Sequence, residues 1–136
     1  MIKSDAQRER TVAQIEGFRQ ALAKVEQESP GKRADILAAN YQTMVCDLED
    51  QIREYDELKR GEIAIPKVER LYEVAPFITR IRIAKGISQT ELGRRLGVSK
   101  QVISRYEESD YQTVGMAKLQ EILDAIGVKA LVTLSA

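Results

Sequence analysis

The stretch "ISQTELGRRLGVSKQVISRYEES", residues 87–109, decides how this chain folds. Ser88 and Glu91 have the spacing of a capping box ahead of Leu92 and Leu96. Gly97 then breaks the chain, and Ser99 is placed to cap a further helix. Two helices of about eight residues, joined by Gly97-Val98-Ser99, follow from these signals. Gly93 stands where the two helices cross most closely, and Gly97 relieves a left-handed turn that a side chain would strain. Val98 is expected to plug the space beneath that turn.

Placing residues 100–108 on a helix at about 100° per residue separates two faces. Lys100, Gln101, Ser104, Arg105 and Glu108 fall on one arc, and Val102, Ile103 and Tyr106 on the opposite one. Glu107 lies on the border. The inward arc is core. The outward arc carries side chains that suit base edges: Lys and Arg match guanine or phosphate, and Gln matches adenine. Ser99 and the helix N-terminus suit a phosphate. The spacing is that of a helix-turn-helix.

Further signals flank the pair. Phe77, Ile78, Ile81 and Ala84 give a short helix ending at Gly86, which Pro76 can open. Met116, Leu119, Ile122, Leu123 and Ile126 mark a closing helix ended by Gly127.

This stretch resembles the Xre/Cro-type helix-turn-helix family, through Ser88-Gln89, Leu92, Leu96-Gly97-Val98-Ser99, Ile103-Ser104 and Glu107, with "LQEILDAIGV" as the closing helix. The resemblance covers residues 77–128. It implies a compact lambda-repressor-like domain, a double-stranded operator, and a homodimer on two half-sites. By position it implies that Gln89 touches phosphate and that Lys100, Gln101 and Arg105 face bases. Ser104 would lie near base or backbone, and helix 99–108 in the major groove. Arg82 and Glu107 match an internal salt bridge of such domains. Arg94 would neighbour the DNA backbone; without DNA, Arg94-Arg95 reads as a solvated helix face. One departure concerns the turn after the reading helix, which in the family often holds glycine and basic or small residues. Here it is Glu107-Glu108-Ser109-Asp110-Tyr111. Glu108 and Asp110 would repel phosphate, while Tyr111 could donate to it.

The N-terminal part, residues 1–60, reads as an antiparallel helical hairpin. Ser4 and Gln7 cap the first helix, and Val12, Ile15, Phe18, Leu22 and Val25 form its stripe. Gly17 is either a flaw in this helix or a point of close contact. Ser29-Pro30-Gly31 turns the chain. The second helix, about residues 33–60, carries Leu37, Tyr41, Met44, Val45, Leu48, Ile52, Tyr55 and Leu58, with Gly61 as a left-handed cap. Cys46 lies near its apolar face and reads as a small packing hydrophobe. With ten basic and twelve acidic side chains, this part does not favour DNA. It reads as a dimerising or partner-binding module. Residues 61–76 are a connector, extended before Pro66 and able to make a helical turn at residues 68–74.

The tail, residues 129–136, is β-prone and reads as a short strand, expected to pair with its twin or with residues 62–65. The fold class is therefore all-α with a C-terminal strand.

Composition narrows the function. Lys+Arg and Asp+Glu are each 21, so basic character must be local, and residues 77–127 hold eight basic against six acidic side chains. There is no histidine and one cysteine. That excludes an ordinary Cys/His zinc site and a Ser-His-Asp or Cys-His catalytic set within one chain. No cofactor, metal or catalytic residue is expected. Lone Cys46 fits a reducing, cytoplasmic setting. The N-terminus lacks the apolar core of a signal peptide, and no window reaches the roughly 20 apolar residues of a membrane span. The leading expectation is a sequence-specific transcriptional regulator, a dimeric repressor of its own operon or a neighbour. The alternative is an antitoxin of the HigA type, with the hairpin binding a toxin partner.

Overall fold

The structure is a computed structural model that describes residues 1–28 and 30–136. The chain forms two compact units, Met1–Glu57 and Leu58–Ala136.

The first unit is the helical hairpin. Its helices are α1 (Asp5–Gln27) and α2 (Lys32–Lys59), the latter running past the unit boundary. The Ser4 hydroxyl accepts from the Gln7 N–H at 3.2 Å, and the Gln7 side chain accepts from the Lys3 N–H. Of the expected turn, Ser29 lies outside the described residues, and α2 starts with the Asp35 N–H donating to the Gly31 carbonyl. Cross-helix pairs set the antiparallel register. Arg8 grips Asp56 through two hydrogen bonds of 2.6 and 2.7 Å, Arg19 pairs with Glu49, and the Tyr55 hydroxyl donates to Asp5. The Phe18 and Tyr41 rings meet at 5.9 Å.

Two helices cover only one side of each other. Ile15 and Tyr55 are buried, whereas Val12, Ile36, Leu37 and Met44 stay exposed. Cys46 is also exposed, so the packing role expected for it does not hold: α2 turns that position away from α1. A Cβ on Gly17 would meet nothing within 4 Å, so no close helix approach requires that glycine.

The second unit carries a 3₁₀ turn, Leu71–Val74, and four helices: α3 (Ala75–Ala84), α4 (Gln89–Leu96), α5 (Lys100–Glu108) and α6 (Met116–Ala125). Ile78, Leu92, Ile103, Ile122 and Ile126 are the centre of its core, with Val98 and Leu96 packed against it. Ser88 caps α4 and Ser99 caps α5, their hydroxyls accepting from Glu91 N–H and Val102 N–H. The turn between these helices closes as a Schellman motif, with Gly97 at φ 70° and the Val98 N–H donating to the Gly93 carbonyl at 2.9 Å.

The expected strand is absent. Among the described residues no segment of 128–136 forms a strand, and no backbone–backbone hydrogen bond is made beyond the Val128 N–H. A strand exists only as part of a ladder, and residues 62–65 of the same chain do not supply the other edge.

Gly93 is where α4 meets the turn. A Cβ there would lie 2.6 Å from the Val98 carbonyl oxygen and 3.3 Å from the Ser99 carbonyl carbon, both backbone atoms. Gly93→Ala is expected to lower stability by about 1–3 kcal/mol through this overlap. Thermal unfolding followed by circular dichroism checks it, and an unchanged melting temperature would contradict it.

Candidate nucleic-acid interface

The site begins with a buried carboxylate. Glu107 is fully buried on the inward border of α5, and Arg82 of α3 is 2% exposed. Arg82 Nε and Nη2 donate to the two Glu107 oxygens at 2.5 and 3.1 Å. Arg82 Nη1 donates to the Ile87 carbonyl at 2.7 Å, and Gln89 Nε2 donates to Glu107 Oε2 at 2.7 Å. Residues of α3, α4 and α5 thus converge on one group. A buried pair with its remaining donors satisfied is tolerated, but removing one partner costs about 3–5 kcal/mol, because the other charge is left uncompensated.

This network corrects the role expected for Gln89. Its side chain is buried and its amide is committed to Glu107, so it is turned away from any phosphate. The first position of α4 sits directly over the carboxylate, and a buried carboxylate with spare lone pairs draws an amide donor inward.

Tyr111 is corrected likewise. It is 2% exposed and cannot reach DNA. Its ring packs 6.1 Å from that of Tyr106, and its N–H donates to the Tyr106 carbonyl at 2.7 Å. Its hydroxyl faces the Glu107 carboxylate without a well-formed hydrogen bond. Burial, then the adjacent Glu107 charge, push the phenol above its ordinary range, so it stays neutral. The cause of its inward turn is local. Helices α3, α4 and α6 are each followed by a glycine at φ near +70°, and Asp110 takes that place after α5, at φ 47°. Tyr111 follows at φ 58° and swings its ring into the core. Nothing in the sequence pattern shows this, because Asp is one of the few residues that substitute for glycine in a left-handed position.

The outward arc of α5 is a different surface. Lys100, Gln101 and Arg105 are exposed and Ser104 is half-buried. None of these side chains forms a hydrogen bond or ion pair among the described residues. Ser99, also exposed, accepts from the Val102 N–H and keeps its own O–H to donate. The structure therefore brings Ser99, Lys100, Gln101, Ser104 and Arg105 onto one solvent face.

The arginines of α4 are tied by comparison. Arg94 Nε and Nη2 donate to both Glu91 oxygens at 2.9 and 2.7 Å. Arg95 Nε donates to Glu91 Oε1 at 3.0 Å, and its Nη1 donates to the Ala125 carbonyl at 2.7 Å. Hydrogen bonds from Arg94, then from Arg95, hold the Glu91 carboxyl down at about 2, so it is ionised at neutral pH. Arg95 thereby fastens α4 to the C-terminal end of α6, a structural role that sequence spacing does not show. Arg94 remains at the surface, with its charge partly offset.

The helix-turn-helix family model matches residues 78–131. This part of the chain belongs to the Xre-type helix-turn-helix family. It is a DNA-binding regulatory domain, and α3 to α6 fall within or across the matched residues. Comparison with curated proteins gives no match, and comparison with solved structures gives none. No helix among the described residues is long and apolar enough to cross a membrane.

Two outcomes follow from the corrected turn. Tyr111→Phe removes a buried hydroxyl that lacks a good partner, so stability is expected to hold or rise and DNA affinity to stay unchanged. Urea unfolding and fluorescence anisotropy on duplex DNA read both, and a loss of affinity would restore Tyr111 to the interface. Asp110→Gly places glycine in a left-handed position and removes an exposed negative charge. It is expected to leave the fold intact, stabilise it by up to about 1 kcal/mol, and tighten DNA binding. Weaker binding by a folded variant would contradict the assignment of Asp110 as a repelling charge.

Proposed function

We propose that the protein is a sequence-specific transcriptional repressor, acting in the cytoplasm as a homodimer and controlling its own operon or a neighbouring one. In this reading α5 enters the major groove of a double-stranded operator, one copy per half-site. The observation that carries it is the contrast on α5. One face is locked by Glu107 and Ile103, while the other presents Lys100, Gln101, Ser104 and Arg105 without intramolecular partners. Arg105 and Lys100 suit guanine, Gln101 suits adenine, and Ser104 takes base or backbone. Ser99 and Arg94 contact phosphates beside them.

A second reading is favoured by the hairpin. It is a separate unit, and it exposes Ile36, Leu37 and Met44 on α2. Those side chains suit a protein partner, such as the toxin of an antitoxin pair. Co-purification of one stoichiometric small protein from the native host supports this reading, and its absence removes it.

The DNA reading has a direct test. In selection from random duplexes, the protein is expected to enrich one motif, with affinity falling steeply as salt rises. Arg105→Ala and Gln101→Ala should each flatten the preference at one position, by about 1–3 kcal/mol against the favoured base, with the circular dichroism spectrum unchanged. A selection that enriches no motif, or variants with the parent's preferences, would reject α5 as the reading element.

A further inference from the structure

The connector and the tail frame an apolar groove in the second unit. It is lined by Ile65, Leu71, Phe77, Leu123, Leu131 and Leu134, among others. Leu131 and Leu134 are 94% and 92% exposed, and Ile65 and Leu71 are more than half exposed. Large aliphatic side chains this open, on neighbouring segments, mark a surface that is covered in use.

We propose that this groove is the seam between two copies of the chain, with the tail of each copy laid along the groove of the other. The proposal deepens the two-half-site reading above and rests on it for its purpose. Three observations select a second copy as the occupant. First, the tail is rich in β-prone residues, and its main chain beyond Val128 makes no backbone–backbone hydrogen bond among the described residues. A partner that offered side chains alone would leave those N–H and C=O groups unpaired, whereas a second tail supplies a matching edge. Second, the rim carries Glu69 and Lys129, both exposed. Neither side chain has a hydrogen bond or ion pair within the described residues. The lining also holds Arg70, whose guanidinium donates to the Tyr72 hydroxyl. A patch carrying both signs pairs with itself under a two-fold axis, Glu69 of one copy against Lys129 of the other. Third, no residue of α4 or α5 lines the groove, so a copy seated there leaves both reading faces open.

Sedimentation velocity on the full chain tests the seam without DNA. The full chain is expected to run as a dimer. Leu131→Asp combined with Leu134→Asp should run as a monomer, with an unchanged circular dichroism spectrum, since both side chains lie outside the core. Lys129→Glu should weaken the dimer, and adding Glu69→Lys in the same chain should restore it. A full chain that is monomeric, or a doubly substituted tail that still dimerises, overturns the seam. The latter result moves the contact to the hairpin or to another surface. Anisotropy on one half-site and on a two-half-site duplex separates the two ideas. A monomeric variant that binds one half-site but loses cooperative binding to two supports both readings. If neither form binds DNA while the tail substitution still abolishes the dimer, the DNA reading fails and the seam stands.

Discussion

Three N–H donors converge on the Glu107 carboxylate, and the position of α5 depends on that meeting. Two come from Arg82 on α3 and one from Gln89 on α4, while Glu107 itself belongs to α5. Apolar packing of Ile103 against Leu92 would hold α5 near its neighbours, but packing is non-directional and tolerates rotation. A bidentate guanidinium is not tolerant, because its fork fixes the plane of the carboxylate and so the roll of the helix that carries it. Lys100, Gln101 and Arg105 point outward because Glu107 points inward. The arrangement is expensive in desolvation, and it is kept satisfied on every visible side: Arg82 also reaches the Ile87 carbonyl, and Gln89 takes up a further lone pair.

The sequence was most legible where a local rule acts alone. Ser88 and Ser99 cap as their spacing required, Gly97 takes the left-handed turn, and Gly93 is packed against backbone. The helices of the second unit fall within one or two residues of their sequence bounds for the same reason. Pattern reading failed where the third dimension chose between equal local options. Gln89 is the first residue of a helix, where either solvent or interior is open to it, and only the position of Glu107 decides. The turn after α5 offers Tyr111 as a donor to phosphate by its position in the family pattern, and the left-handed backbone at Asp110 and Tyr111 reverses that direction. Cys46 lies beside an apolar stripe on α2, but a two-helix hairpin is too thin to cover the stripe's margin. The tail has strand composition without an intrachain partner, and composition alone makes no ladder.

The two units divide the chemical work along the chain. The hairpin is held mainly by directed polar contacts, Arg8 to Asp56 and Tyr55 to Asp5, over a sparse apolar seam. Exposed or half-exposed pairs of this kind fix register more than they add stability. The second unit has the opposite balance, a continuous aliphatic core with one buried ionic network inside it. A stiff scaffold of that kind suits the role proposed for α5, which presents four side chains in constant register, since small errors in position degrade hydrogen-bond readout.

Electrostatics then argue for specificity over raw affinity. The second unit's surplus of basic residues is small, and part of it is already spent: the single charge of Glu91 is shared between Arg94 and Arg95 and offsets part of theirs, and Arg82 is sealed in the core. What remains free toward solvent on α5 is Lys100 and Arg105, with Glu108 and Asp110 following as opposing charges. Non-specific attraction to DNA scales with the number of phosphates a protein neutralises, so this surface gains little from a duplex of arbitrary sequence. In the proposed reading its gain comes from base edges that match Gln101 and Arg105, and the acidic end of α5 opposes the phosphates of a poorly seated duplex. In that reading a single copy binds weakly. The contrast between right and wrong sequence, in the same reading, grows with the number of copies that engage together, and the proposed association between chains becomes part of the mechanism.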